Sequence, residues 1–190
     1  PAVAGMAGRR FQVRQPFGCA GPAASDAADG YVLDPKSGSM RVTVRAVQWD
    51  APAWLAALGD DAPPEVIEGF WLRRPWISGA ACPAIAPSPE AAATPETVGL
   101  AQVFASGSSR LLRRGGRPYR VTVRAVSGQP PSAAGGLRLV LEGRIAEARG
   151  QPIRCRASGP DERPVCLVVV ELDRVAFEDA QGKSLGEWRE

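Results

Sequence analysis

Arg41-Val42-Thr43-Val44-Arg45-Ala46-Val47 recurs residue for residue as Arg120-Val121-Thr122-Val123-Arg124-Ala125-Val126, and this pair of segments decides the fold class. In an extended chain successive side chains point to opposite faces, so Val42, Val44 and Ala46 share one face while Arg41, Thr43 and Arg45 share the other. The second copy repeats the pattern with Val121, Val123 and Ala125 inward. Each copy is followed by a Glu-Gly pair, Glu68-Gly69 and Glu142-Gly143, and then by a cysteine, Cys82 and Cys155. The spacing is that of a duplicated sheet-forming unit.

Outward from the first copy, Phe11 and Val13 alternate with polar neighbours and open a unit near Arg10. Tyr31-Val32-Leu33 and Met40 to Val47 flank Asp34-Pro35-Lys36-Ser37-Gly38, whose Pro and Gly favour a hairpin turn. Asp50 can cap one short helix over 51–58, with Gly59 placed to end it. Residues 63–77 read as an extended segment broken by proline and ending before Cys82. The Pro/Ala/Thr/Glu stretch 83–97 reads as a linker, which divides the chain into an N-terminal β unit, 10–82, and a C-terminal β unit, 98–190.

In the second unit Val98 to Phe104, Leu137 to Ile145 and Ile153 to Arg156 carry strand patterns, with Gly143 placed to bend the middle one. Val165 to Phe177 begins apolar on both faces and is then interrupted by Glu171, Asp173 and Arg174, which predicts a long strand with a bulge near its middle. Residues 178–183 turn back into Leu185 and Trp188. The fold class expected is therefore all-β: two tandem small β units, each a sandwich or an OB-like barrel, with at most one short helix and stapled by disulfides.

Cys19, Cys82, Cys155 and Cys166 form an even set without C-x-x-C spacing, and the chain has no histidine, so mixed Cys/His metal sites are impossible and no metal or cofactor is expected. Three pairings exist. Aligning the twin segments and their Glu-Gly pairs sets Cys155 near the position of Cys82, whereas Phe17-Gly18-Cys19 meets Phe104-Ala105-Ser106 in the second unit. Cys155 then lacks an equivalent of Cys19 and takes Cys166, leaving Cys19 for Cys82. In the chain-entropy model such bridges stabilise by about 3 kcal/mol for the short loop and about 4 kcal/mol for the long one. Two disulfides imply an oxidising compartment, periplasmic or secreted, and the absence of a cationic, apolar start is what a chain already relieved of its signal segment would show.

Composition bounds the partners. At 45% hydrophobic residues the 190-residue chain buries a core, and its net charge is only +3, with Lys36 and Lys183 the only lysines. So small a charge gives little long-range attraction for nucleic acid, which is not expected as a partner. No apolar window has membrane-spanning length, so any membrane anchor lies outside this chain.

The missing histidine also removes Ser-His-Asp, Cys-His and H-E-x-x-H chemistry. Gly182-Lys183-Ser184 lacks the earlier glycine of a phosphate loop and reads as a turn. Asp26, Asp29 and Asp34 lack EF-hand spacing for calcium. Glu171 and Asp173 share a face and could act as a carboxylate pair, but pairing with Arg124 or Arg144 is the simpler reading.

What remains is binding. Trp71, Arg73, Arg74 and Trp76 are candidates for a contact surface through aromatic area and cation–π stacking, against core roles for the tryptophans. The Arg/Thr faces of the twin segments form a basic stripe suited to anionic polysaccharide or lipid, against neutralisation by Glu and Asp across the strands. The expected function is a non-enzymatic binding or assembly module of the bacterial envelope or secreted fraction, its partner another envelope protein or a glycan. A protein acting on polysaccharide through carboxylates or exposed Trp, or an OB-type oligonucleotide binder, are the alternatives.

Overall fold

In the computed structural model, the described residues are 5–24, 27, 29–49, 64–73, 79–84, 96–105, 113–126 and 131–190. Eleven strands form among them: β1 (Arg10–Phe17), β2 (Gly30–Asp34), β3 (Ser39–Val44), β4 (Val47–Trp49), β5 (Val66–Trp71), β6 (Val98–Phe104), β7 (Tyr119–Arg124), β8 (Leu137–Ile145), β9 (Ile153–Arg156), β10 (Val165–Asp179) and β11 (Ser184–Arg189). No helix forms among these residues, and the expected helix over 51–58 lies outside them.

The strands make an eight-stranded sheet in the order β1-β8-β10-β6-β5-β4, with β9 and β11 also on β10, and a three-stranded sheet in the order β2-β3-β7. The path from β1 to β4 is open at both ends, so the OB-like alternative of a closed barrel does not form. Residues 10–82 and 98–190 interleave in both sheets: β1 pairs β8, β3 pairs β7 and β5 pairs β6, each antiparallel. Most of the expected 83–97 linker lies outside the described residues.

β10 is the hub. Its first half lies between β9 and a parallel β6, its second half between β8 and β11. The register slips between Leu172 and Arg174, so the predicted bulge falls on Asp173. A bulge leaves backbone groups without ladder partners. Here Leu172 N–H is satisfied by the buried Gln102, whose Oε1 accepts it at 3.1 Å. Opposite the bulge stands Gly143, where a Cβ would lie 2.0 Å from the Glu171 carbonyl oxygen. Only glycine lets the two backbones approach that closely.

The inner faces of the two sheets share one core. Met40, Val42 and Val44 of β3 are buried with Leu139 and Leu141 of β8 and Val175 and Phe177 of β10. Burying each such side chain contributes about 1.5–3 kcal/mol. Trp188 joins the layers, with ring centroids 5.0 Å from Tyr119 and 5.1 Å from Phe177. In the second twin segment Val121 and Val123 are half-buried against this core as expected, but Ala125 is exposed, because β7 ends at Arg124. A smaller core on the other face of the large sheet gathers Ile67, Ala101, Leu167 and Val169, with Trp49 and Trp71 packed against it.

Both disulfides form in the pairing read from the sequence. Cys155 and Cys166 stand directly opposite in β9 and β10, with Cα atoms 4.0 Å apart. Cys19–Cys82 spans 5.6 Å between Cα atoms and closes 63 residues of chain.

Candidate anion-binding face

Two arginine-bearing surfaces form, and they differ in their counterions. On the outer side of β1, β8, β10 and β11, arginines lie beside acids of neighbouring strands. Arg144 pairs with Glu171 at 3.0 Å, Arg14 with Glu178 at 3.3 Å and Arg10 with Asp173 at 3.6 Å. Arg174, nearly buried, meets Glu142 at 2.9 Å and Glu187 at 2.8 Å. Burial works against the ionised form of Glu142. The hydrogen bonds donated by Gln12 and Arg174 outweigh it and hold this carboxyl below its ordinary value. Glu171 and Asp173 are therefore each engaged by an arginine, and the sequence reading that gave Glu171 to Arg144 describes the geometry.

The outer side of β2-β3-β7 is different. The twin segments lie side by side with Arg41 opposite Thr122 and Thr43 opposite Arg120. Cross-strand partners point to one side of a sheet, so Arg41, Thr43, Arg120, Thr122 and Arg124 share the wet face. Arg41 is diagonal to both Arg120 and Arg124, neighbours about 7–8 Å away in such a lattice. All three are exposed. Among the described residues none has a carboxylate within 4.0 Å or a side-chain hydrogen bond. The expected neutralisation of these arginines by Glu and Asp is not found: the residues opposite Arg41 are Val32 and Thr122.

The acids nearest this face are committed elsewhere. Asp34 closes the β2–β3 turn, accepting from the Ser37 hydroxyl at 2.7 Å and Lys36 N–H at 2.9 Å. Those bonds, the Ser37 one foremost, pull its carboxyl below the usual range. Asp29 accepts Arg45 N–H at 2.9 Å and the Arg73 guanidinium at 3.0 Å. Asp26, the third of the aspartates read from the sequence, lies outside the described residues.

A buried carboxylate fixes the start of β7. Glu68 accepts the backbone N–H groups of Arg114 and Gly115, both at 2.8 Å, and so ties the basic turn 113–117 to β5. Gly115 and Gly116 take the left-handed φ values of 57° and 78° that this turn requires. The Arg114 guanidinium lies 4.7 Å from the centre of the Tyr119 ring. Burial pushes the Tyr119 phenol up to about 12, against the pull of Arg114. Arg45 donates to the Gly116 carbonyl at 2.8 Å, which links the end of β3 to the same turn.

At the Arg41–Arg120 end the face deepens into a hollow of about 210 Å³, lined by Arg41, Thr43, Arg45 and Arg120 together with Ala23, Ala27 and Asp29. A larger hollow of about 380 Å³, beside Glu147 and Ile153, contains one charged side chain.

Of the contact residues read from sequence, Trp71 is half-buried, edge-on to Trp49 with centroids 5.2 Å apart. Both rings crowd the Cβ position of Gly99, at 3.2 and 3.1 Å respectively. Arg73 is exposed, its N–H held by Gln15 at 2.6 Å, and through Asp29 it reaches the rim of the smaller hollow. Arg74 and Trp76 lie outside the described residues. Comparisons with protein families, with curated proteins and with solved structures found no match for this chain. Among the described residues, no helix is long and apolar enough to cross a membrane.

Proposed function

We propose that the protein is a non-enzymatic binding or assembly module of the bacterial envelope or secreted fraction, and that it holds an acidic partner, protein or glycan, on the arginine face of β2-β3-β7. One observation carries this reading: Arg41, Arg120 and Arg124 stand together without counterions among the described residues, while Arg10, Arg14, Arg144 and Arg174 on the large sheet are each matched to an acid. Like charges carried on such diagonal neighbours repel, by at most roughly 0.6 kcal/mol in water if the charges lie as close as the strand positions. A cluster that costs stability and lacks an internal partner is suited to an external one. The two disulfides support an oxidising location.

The test is binding of polygalacturonate and polyglutamate, measured by calorimetry at low and high salt. Salt-sensitive binding to either, lost in the Arg41→Ser/Arg120→Ser/Arg124→Ser triple variant and kept in Arg10→Ser/Arg144→Ser, is the expected result. Equal behaviour of the two variants would overturn it, as would tighter binding to a single-stranded oligonucleotide. Free thiols at Cys155 and Cys166 in protein taken from the native host would reject the exported location.

Duplication of one ancestral unit accompanies this reading and rests on the strand partners. Gln12 faces Glu142 and Phe11 faces Gly143 between β1 and β8, while Gln102 faces Glu68 and Ala101 faces Gly69 between β6 and β5. The same Gln/Glu and apolar/Gly pairs recur, each joining one half to the other. An experimental structure in which these two strand pairs fail to superpose would remove it.

A further inference from the structure

We infer that the hollow beside Arg41 and Arg120 is a subsite for one anionic sugar unit, a ring bearing a carboxylate or phosphate. This rests on the proposed function and names its ligand class. The argument starts from the mixed chemistry of the lining. Arg41 and Arg120 offer guanidinium donors that no described residue engages, the groups best shaped to grip a carboxylate or phosphate. Asp29 lines the same hollow, and its two oxygens each accept one hydrogen bond already, which leaves lone pairs for further donors.

A bare anion gains from the arginines but is repelled by Asp29. A neutral sugar finds Asp29 and Thr43 for its hydroxyls but leaves the arginines unanswered. A ligand with an anionic group at one end and hydroxyl donors at the other satisfies both. Among the described residues no aromatic side chain lines the hollow, so a nucleobase would find no stacking platform there. Its volume of about 210 Å³ is below the roughly 300–1,000 Å³ of drug-sized sites, which limits the occupant to a single small unit.

The experiment is calorimetric and NMR titration of wild type and of Arg41→Ala, Arg120→Ala and Arg124→Ala with galacturonate, glucose 1-phosphate, glucose and inorganic phosphate. Arg124 lies on the same face but outside the hollow. Binding of galacturonate or glucose 1-phosphate, weakened at least about tenfold in Arg41→Ala and Arg120→Ala and by no more than about threefold in Arg124→Ala, whose charge acts only at a distance, is the result expected. Preference for galacturonate assigns the anion as a carboxylate, and preference for glucose 1-phosphate assigns it as a phosphate. Inorganic phosphate binding as tightly as the sugar phosphate, or glucose as tightly as galacturonate, would overturn the subsite. No monosaccharide binding alongside Arg124-dependent binding of polygalacturonate or polyglutamate would overturn the subsite alone. Absence of both would take the binding face with it.

Discussion

Val42 and Val121, the second residues of the two identical heptapeptides, stand directly opposite each other in antiparallel register. Because the copies are related by a half-turn about this pair, Arg41 falls opposite Thr122 and Arg120 opposite Thr43, while Arg124 faces Ser39. Opposed arginines are avoided by this register, and so are opposed acids. The face is left uniformly basic, with Val42 fully buried beneath it.

Removing charge from this face should therefore cost nothing. Arg41→Thr is expected to leave stability unchanged or raise it by about 0.5 kcal/mol, the repulsion relieved. Arg174→Ala should instead lower stability by about 1–3 kcal/mol, since it removes a nearly buried guanidinium and leaves Glu142 only Gln12 and Glu187 only Arg189. Urea denaturation of the two variants checks the contrast, and an equal loss in both would contradict it.

Acid should unfold the large-sheet network selectively. Hydrogen bonds from Arg189 first and Arg174 second hold Glu187 below its ordinary value near 4.5, and Glu142 is likewise lowered, against its burial, by Gln12 and Arg174. A carboxyl that is more acidic folded than unfolded contributes fully above the unfolded value and loses that contribution as pH falls through the folded one. The melting temperature should hold from pH 7 to about 5 and then drop, less steeply in Arg174→Ala. A melting temperature that rises on acidification would count against the network.

Gly143→Ala should be among the most damaging single-methyl additions in the chain. Its Cβ would lie 2.0 Å from the Glu171 carbonyl oxygen and 2.9 Å from Leu172 Cα, both backbone. A loss of a few kcal/mol is expected, read by thermal melting. Gly159→Ala, with open space around it, serves as the control and should be nearly neutral.

Neither 10–82 nor 98–190 should fold as a separate fragment, since β1, β3 and β5 each depend on a strand from the other half. Circular dichroism of each fragment, and of the two mixed, checks this. Cooperative melting of either alone would show the halves to be autonomous units.

The elements were legible where periodicity speaks. Alternation in Leu137–Ile145, the interruption at Glu171 to Arg174, and the turn residues at 34–38 and 178–183 all predict local backbone. The disulfides were legible too, because the repeat leaves Cys155 without a counterpart of Cys19. The interleaving was not: a strand's pattern states which face is dry, not which distant strand lies beside it. The binding face was hidden for the same reason. Arg41 and Arg144 have similar strand contexts in sequence, and only the partner opposite, Thr122 for one and Glu171 for the other, separates a free guanidinium from a neutralised one.

The most direct test of the central claim is to follow arginine Nε–H resonances by NMR while polygalacturonate is added at low salt. The binding face predicts shifts at Arg41, Arg120 and Arg124 that reverse with salt, with Arg10, Arg144 and Arg174 unmoved. Shifts centred on the large-sheet arginines, or none at all, would contradict it.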